Sequence, residues 1–233
     1  MIEVEWWDYD SLDELAEAVA GDVGFIIESA IDARGEALIA LPGGDIAPAV
    51  FAQLAQAKVN WKKVTVVPTD DRLVPMTDDL SNIRAIARAF LPTGARVFPI
   101  TSDIADHKLA GNSANAKLSE LKFPLDLAWL GVGTDGHTAS IFTGPDLEDA
   151  LNAPKGRHAV GVMPDPMPEN AAVPRVTLTR SAILSARTVL IAGEGAETRE
   201  LLERAIADGH SSKLPIGRVL AEAEQPIDIH WVA

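Results

Sequence analysis

The sequence predicts an α/β fold with a mostly parallel sheet and helices on both faces. Three observations predict it. Short apolar runs at residues 37–41, 63–67, 125–130 and 188–192 are bounded by turn residues, as buried strands are. Segments with helical spacing of apolar positions lie between these runs, which is the alternation of a parallel sheet. A glycine-rich stretch follows the 125–130 run, at the strand end where such sheets keep their chemistry. No internal repeat, low-complexity tract or linker divides the 233 residues, so one domain over residues 1–233 is expected.

Each element has its own signal. Ser11 with Glu14 forms a capping box that opens a helix running toward Glu28. Its apolar positions Leu12, Leu15, Val19, Val23, Ile26 and Ile27 keep helical spacing, with Gly21 and Gly24 weakening the middle. The 37–41 strand is broken by Pro42-Gly43-Gly44, and Asp45 is the expected N-cap of a second helix through Gln56. Strand 63–67 ends at Pro68, and residues 69–80 are acidic and turn-rich. Ser81 is expected to cap a short helix ending at Phe90. Residues 96–100 are strand-like, and Asp103 is placed to cap a helix reaching about Leu121, interrupted near Gly111. Beyond the central strand come a strand at 158–163, a proline-rich loop at 164–168, and an alternating strand at 175–179 suited to a small antiparallel excursion. A buried strand at 188–192, a helix at 197–208, a short turn or helix at 214–220 and a strand at 227–232 complete the pattern.

Composition bounds the function. The formal net charge is −14 and the sequence pI near 4.7, which repels nucleic acid and makes a nucleic-acid partner unexpected. Such a surface also repels small anions at long range, so a phosphorylated substrate needs a local basic pocket. Arginines beside loops are therefore the ones to weigh. No run approaches the ~18 apolar residues of a membrane span, and the segment from Met1 to Trp6 lacks a signal-peptide pattern. A cytoplasmic protein without membrane contact is expected. There are no cysteines, and the five histidines show no pair at metal-ligand spacing, so no metal site is expected. Nothing in the sequence indicates an obligate protein partner.

The central stretch, residues 130–142, reads L-G-V-G-T-D-G-H-T-A-S-I-F. Glycines at a strand end let the chain turn sharply and bring main-chain N–H groups close to a ligand. His137 lies inside that turn beside Asp135. Gly131 to Gly136 also matches the dinucleotide fingerprint G-x-G-x-x-G. That reading fails because the next strand-end acid, Asp165, lies too far along. The longer pattern G-x-G-x-D-G-H-x-A-S-x-F resembles the signature of 6-phosphogluconolactonases. Other segments resemble the same family in the same order: Leu41-Pro42-Gly43-Gly44, Trp61, Thr69-Asp70-Asp71-Arg72-Leu73-Val74-Pro75, Ser81-Asn82, Arg175-Val176-Thr177-Leu178-Thr179 and Leu214-Pro215.

The resemblance implies a modified Rossmann-like sheet of the glucosamine-6-phosphate deaminase/ribose-5-phosphate isomerase kind. It also implies a cofactor-free hydrolase acting on a phosphorylated sugar lactone in the pentose phosphate route. A lactone is an activated ester, so the site needs an oriented water, a base and donors for the oxyanion. His137 is the candidate base, and Asp135 or an acid from Asp70-Asp71 is the candidate to orient it. Main-chain N–H groups of the Gly131 to Gly136 turn are candidate oxyanion donors, and Gly133 and Thr134 are candidate substrate-binding residues. Arg72 and Arg175 are the candidate phosphate clamp. The Gly43-Gly44 turn is a candidate anion cradle, and Asp70 and Asn82 are further candidate substrate-binding residues. Without the resemblance, Arg72 reads as a salt-bridge partner of Asp70 or Asp71, and Arg175 as a surface arginine.

This sequence departs from the family at the phosphate end. Asp45-Ile46-Ala47 stands where Ser-Thr-Pro is usual, and Ala196 stands where many relatives carry lysine. The Pro166-Met167-Pro168 loop also lacks a common lysine, which leaves Lys213 or Arg218 as substitutes. Two rival readings remain. A deaminase/isomerase of the same fold typically continues His-Ile-Ala-Phe-Asn-Glu, whereas here His137 is followed by Thr-Ala-Ser-Ile-Phe. A sugar-phosphate-binding module without turnover is the second. No G-x-S-x-G or H-E-x-x-H occurs to support another hydrolase class.

Overall fold

The computed structural model describes residues 2–233. Ten strands and eight helices alternate along them. The strands are β1 (Val4–Tyr9), β2 (Ala37–Leu41), β3 (Val64–Pro68), β4 (Asp70–Arg72), β5 (Arg96–Val97), β6 (Leu127–Leu130), β7 (Ala159–Val162), β8 (Arg175–Leu178), β9 (Thr188–Glu194) and β10 (Ile227–Val232). The helices are α1 (Leu12–Arg34), α2 (Ala47–Leu54), α3 (Asn82–Phe90), α4 (His107–Leu118), α5 (Leu147–Leu151), α6 (Arg180–Leu184), α7 (Ala196–Asp208) and α8 (Pro215–Leu220).

Seven strands form one all-parallel sheet in the order β1-β10-β9-β6-β2-β3-β5. Its central strands are buried on both faces, so their residues divide between two cores by alternation. Ile39, Leu41, Leu127, Trp129 and Leu190 face a core closed by α1, α2 and α3. Leu38, Ala40, Ala128, Leu130, Val189 and Ile191 face the other, closed by α4, α7, α8 and a small second sheet. That second sheet, β4-β8-β7, is antiparallel, as the alternation at 175–179 predicts.

Several boundaries differ from expectation. Helix α1 runs six residues past Glu28 and stops at Gly35, whose φ of 81° ends it in the left-handed region. Gly24 does not weaken it, because its bare α-carbon faces the side chain of Ala57. Asp45 does not cap α2; Ile46 holds that position without a side-chain bond. Asp106, not Asp103, caps α4 by accepting from Leu109 N–H at 2.8 Å. The 96–100 strand shortens to two residues, and the acidic 69–80 segment contains β4. Strand β1 and the short helices α5 and α6 carried no signal that the pattern reading used.

Gly111 does not interrupt α4. A Cβ there would stand 1.9 Å from Gly161 N, so α4 rests directly on the backbone of β7. Overpacking such a contact forces backbone to move. Gly111→Ala should therefore lower the unfolding free energy by about 2 kcal/mol or more. The measurement is the urea midpoint at constant m-value, and an unchanged midpoint would contradict this close packing.

Candidate active site

Strands β2 and β6 are neighbours from which the sheet grows outward in opposite directions, through β3 to β5 and through β9 to β10. Ligands of open α/β sheets bind beyond the carboxyl ends of strands at such a reversal. The Gly43-Gly44 loop leaves β2 there, and the Gly131–His137 turn leaves β6.

The β6 turn is closed by its own backbone. Gly133 N–H donates to His137 O and Gly136 N–H to Gly133 O, each at 2.9 Å. Those two N–H groups are thus committed within the turn, which removes them from the expected oxyanion donors. Gly133 serves sterically instead: a Cβ on it would lie 2.2 Å from the His137 ring. Asp135 Oδ1 accepts from His137 N–H at 3.1 Å and makes a short hydrogen bond to His137 Nδ1. Burial pushes Asp135 up, but the bonds from His137 and its charge outweigh this and leave the carboxyl below its usual range. With Nδ1 held, His137 Nε2 is the ring's open position, and Thr134 stands exposed on the same turn.

The segment after β3 carries the acids and the first arginine. Asp71 does not reach His137; its buried carboxylate accepts from Asn82 N–H at 2.7 Å, Arg72 N–H at 2.9 Å, Ile83 N–H at 3.3 Å and Ser81 Oγ at 3.2 Å. It therefore holds the start of α3 against β4, and the partner of His137 is Asp135. Asp70 accepts from Ser140 Oγ at 2.6 Å and Thr69 Oγ1 at 3.0 Å. Asn82 donates to Asp70 O at 2.8 Å and accepts from Arg72 Nη1 at 2.7 Å. Its amide fits because Gly43 has no side chain: a Cβ there would lie 2.0 Å from Asn82 Oδ1.

Burial pushes Asp71 up to about 6, against the N–H bonds that favour its charge. An unfolded chain releases that proton near pH 4, so between about pH 4 and 6 the folded state binds more protons. Stability from this group is present below that window and is lost as pH rises through it, by about 3 kcal/mol in all. Asp71→Asn should flatten this fall. Urea unfolding of both proteins at about pH 4 and about pH 6.5, on the two sides of that window, checks it; equal changes in stability would contradict it.

Arg72 and Arg175 face each other across β4 and β8 in register. Arg72 makes no salt bridge to the Asp70 or Asp71 side chain among the described residues; it donates to Leu80 O at 2.9 Å and to Asn82. Arg175 is not a surface residue: it is 3% exposed, with Nη2 donating to Ala171 O at 3.2 Å. Its guanidinium carbon lies 4.7 Å from the Phe142 ring centroid. Burial and the like charge of Arg72 push Arg175 below its usual value, with Asp70 and Asp135 opposing. Both Nε atoms are buried without a hydrogen-bond partner. Two facing guanidinium groups with unpaired donors complement an anion.

Phe142 links the two halves, since it stacks on His137 at 4.0 Å between centroids. Ser140 and Phe142 stand in the motif without a role legible from sequence; their partners become visible once β4 and β8 lie against the turn. Gly44 has φ of 96° with Asp45 exposed beside it. Arg218 is held by Glu148 at 2.7 Å and is no free substitute donor. Lys213 precedes Leu214, whose side chain covers Gly136. Two cavities of about 520 and 390 Å³ open elsewhere and contain none of His137, Arg72 or Arg175. No helix of the described residues is long and apolar enough to cross a membrane.

Residues 10–231 match the family model described as glucosamine-6-phosphate isomerases/6-phosphogluconolactonase. The chain belongs to this glucosamine-6-phosphate isomerase/6-phosphogluconolactonase family. A 6-phosphogluconolactonase of Rhizobium meliloti (strain 1021) is 37% identical over 227 residues, covering 96% of each chain. One from Mesorhizobium japonicum is 34% identical, covering 97% of this chain and 94% of the relative. The crystal structure of a 6-phosphogluconolactonase from Shewanella baltica OS155 superposes with a TM-score of 0.91 at 28% identity, covering 99% and 98% of the two chains. The match extends over both sheets.

Proposed function

We propose that the chain hydrolyses 6-phospho-D-glucono-1,5-lactone to 6-phosphogluconate, a step of the oxidative pentose phosphate route, without a cofactor. The observation that carries this reading is the pairing of two sites through one ring: His137, oriented by Asp135, and the buried Arg72–Arg175 pair. The names of the relatives support it. So does the His-Thr-Ala-Ser-Ile-Phe sequence after the turn, which lacks the Asn-Glu of deaminases.

In this mechanism His137 donates Nδ1–H to Asp135 and accepts a proton at Nε2 from the attacking water. The water oxygen bonds to the lactone carbonyl carbon and a tetrahedral oxyanion forms. The bond from that carbon to the ring oxygen then breaks, and His137 returns its proton to the departing oxygen. Asp135 stabilises the imidazolium between those steps. Arg72 and Arg175 hold the phosphate, and the Gly43-Gly44 turn with Asn82 shapes the floor between. Thr134 on the exposed face of the turn contacts the sugar. Asp70 and Asp71 act by positioning rather than on the lactone.

The experiment is enzyme-dependent hydrolysis of 6-phosphogluconolactone and of gluconolactone, each above its spontaneous rate. Preference for the phosphorylated lactone is expected. Equal rates would detach the phosphate from the reading and leave a lactonase. Absence of turnover on both, with the phosphorylated lactone still bound, would favour the binding module.

A further inference from the structure

Phe142 is buried at 5% exposure yet belongs to neither of the two apolar cores. A buried phenyl ring ordinarily packs against aliphatic neighbours. This one touches an imidazole and a guanidinium: the His137 ring is nearly parallel to it, at 18° and 4.0 Å, and Arg175 lies over it at 4.7 Å. Both polar groups are central to the reading above, on which this inference rests.

The chain reaches this arrangement through a strained turn. Ile141 N–H donates to Thr138 O at 2.9 Å, folding residues 138–141 back on themselves. Ala139 adopts φ of 49°, the left-handed region, which costs a side-chain-bearing residue about 1 kcal/mol. Ser140 then pins the turn to the small sheet, through Thr177 Oγ1 at 3.1 Å and Asp70 Oδ2 at 2.6 Å. Strain held in place by several bonds around one side chain is characteristic of positions fixed for function.

We infer that Phe142 is a positioning residue that sets the spacing between the proton-handling ring of His137 and the anion-holding guanidinium of Arg175. The His137 ring has one hydrogen bond among the described residues, to Asp135, which fixes its Nδ1 but leaves the ring free to rock about that bond. The stack on Phe142 fixes the ring plane and so aims Nε2. The Arg175 guanidinium makes one hydrogen bond among the described residues, to Ala171 O, and leaves Nε unpaired; the same phenyl ring fixes where its fork points. Because one rigid ring carries both, the imidazole and guanidinium cannot separate further than the two stacking distances together. The site thereby selects ligands by the span from reacting carbonyl to anionic group.

The test uses Phe142→Leu, which keeps an apolar side chain without the flat ring, and Phe142→Tyr, which restores the ring. Two readouts are taken on the full chain: steady-state hydrolysis of 6-phosphogluconolactone per folded molecule, and the His137 Hε1 proton resonance followed through a pH titration. Phe142→Leu is expected to lower kcat about 30-fold and raise KM several-fold, the scale of a misplaced reacting group. The His137 resonance should lose the upfield displacement that a stacked ring imposes. Phe142→Tyr should recover both to within about threefold. A purely structural Phe142 would lower the melting temperature but leave kcat, KM and the His137 titration at wild-type values, and that result overturns the inference. If the wild type hydrolyses no lactone, the functional reading fails by itself; an unchanged His137 resonance in Phe142→Leu would still overturn the placement, and a shifted one would uphold it.

Discussion

Replacing His137 by alanine is expected to lower kcat for lactone hydrolysis by about 10³-fold while changing KM little. Positioned acid–base groups contribute about 10²- to 10⁴-fold, and His137 is the one with a held tautomer and an open ring nitrogen. The substitution removes no packing from either apolar core, because the ring is partly exposed and stacks on Phe142, which lies outside both. The melting temperature should therefore stay close to wild type. Progress curves corrected for spontaneous hydrolysis provide the check. A variant retaining more than about a tenth of wild-type kcat would move proton handling away from His137. Asp135→Asn should show a smaller loss, since it keeps the contact but withdraws the charge that stabilises the imidazolium.

Arg175→Met is expected to act on KM instead. It keeps an apolar stem against Phe142 and deletes one of two facing charges. KM for the phosphorylated lactone should rise about 100-fold, which corresponds to losing a charge-assisted contact of about 3 kcal/mol. Hydrolysis of unphosphorylated gluconolactone should be nearly unchanged. The ligand-free protein should be no less stable than wild type, because a buried guanidinium with an unpaired Nε and a like-charged neighbour is replaced by a neutral side chain. The two results together separate a substrate clamp from a structural arginine, whose removal would lower stability and leave KM alone.

The architecture was legible where periodicity is decisive. Ala37–Leu41 reads as a strand because five apolar residues end at Pro42-Gly43, and Ile227–Val232 reads likewise. Strand β4 was hidden: Asp70, Asp71 and Arg72 have no apolar pattern, and their strand exists only through pairing with β8. Two helix glycines misled. Gly24 and Gly111 lie within intact helices because another residue comes up against them, a tertiary fact without a local trace. Caps were off by one to three residues at Asp45 and Asp103, where a neighbouring residue took the position.

In the site, the type of chemistry was legible from the His137 motif, but not the division of labour among the acids. Asp70, Asp71 and Asp135 are equivalent as letters. Only the fold places Asp71 under the start of α3 and Asp135 on the imidazole. The burial of Arg175 was equally invisible, since an arginine at a strand start is ordinarily exposed. Its companion across the register, Arg72, is what makes that burial meaningful.

Strand order has a consequence for how the protein is made. Strand β1 pairs with β10 among the described residues, and β10 in turn lies between β1 and β9. Residues 4–9 leave the ribosome more than two hundred positions ahead of the segment that must seat them. Until then Trp6 and Trp7 have no sheet to join, while β2, β3 and β6 can already assemble. The long loop this pairing closes delays it relative to the local contacts. Strand β1 is thus among the last to dock, and Trp6, which packs edge-on against Trp231 of β10, provides a built-in fluorescent report of completion.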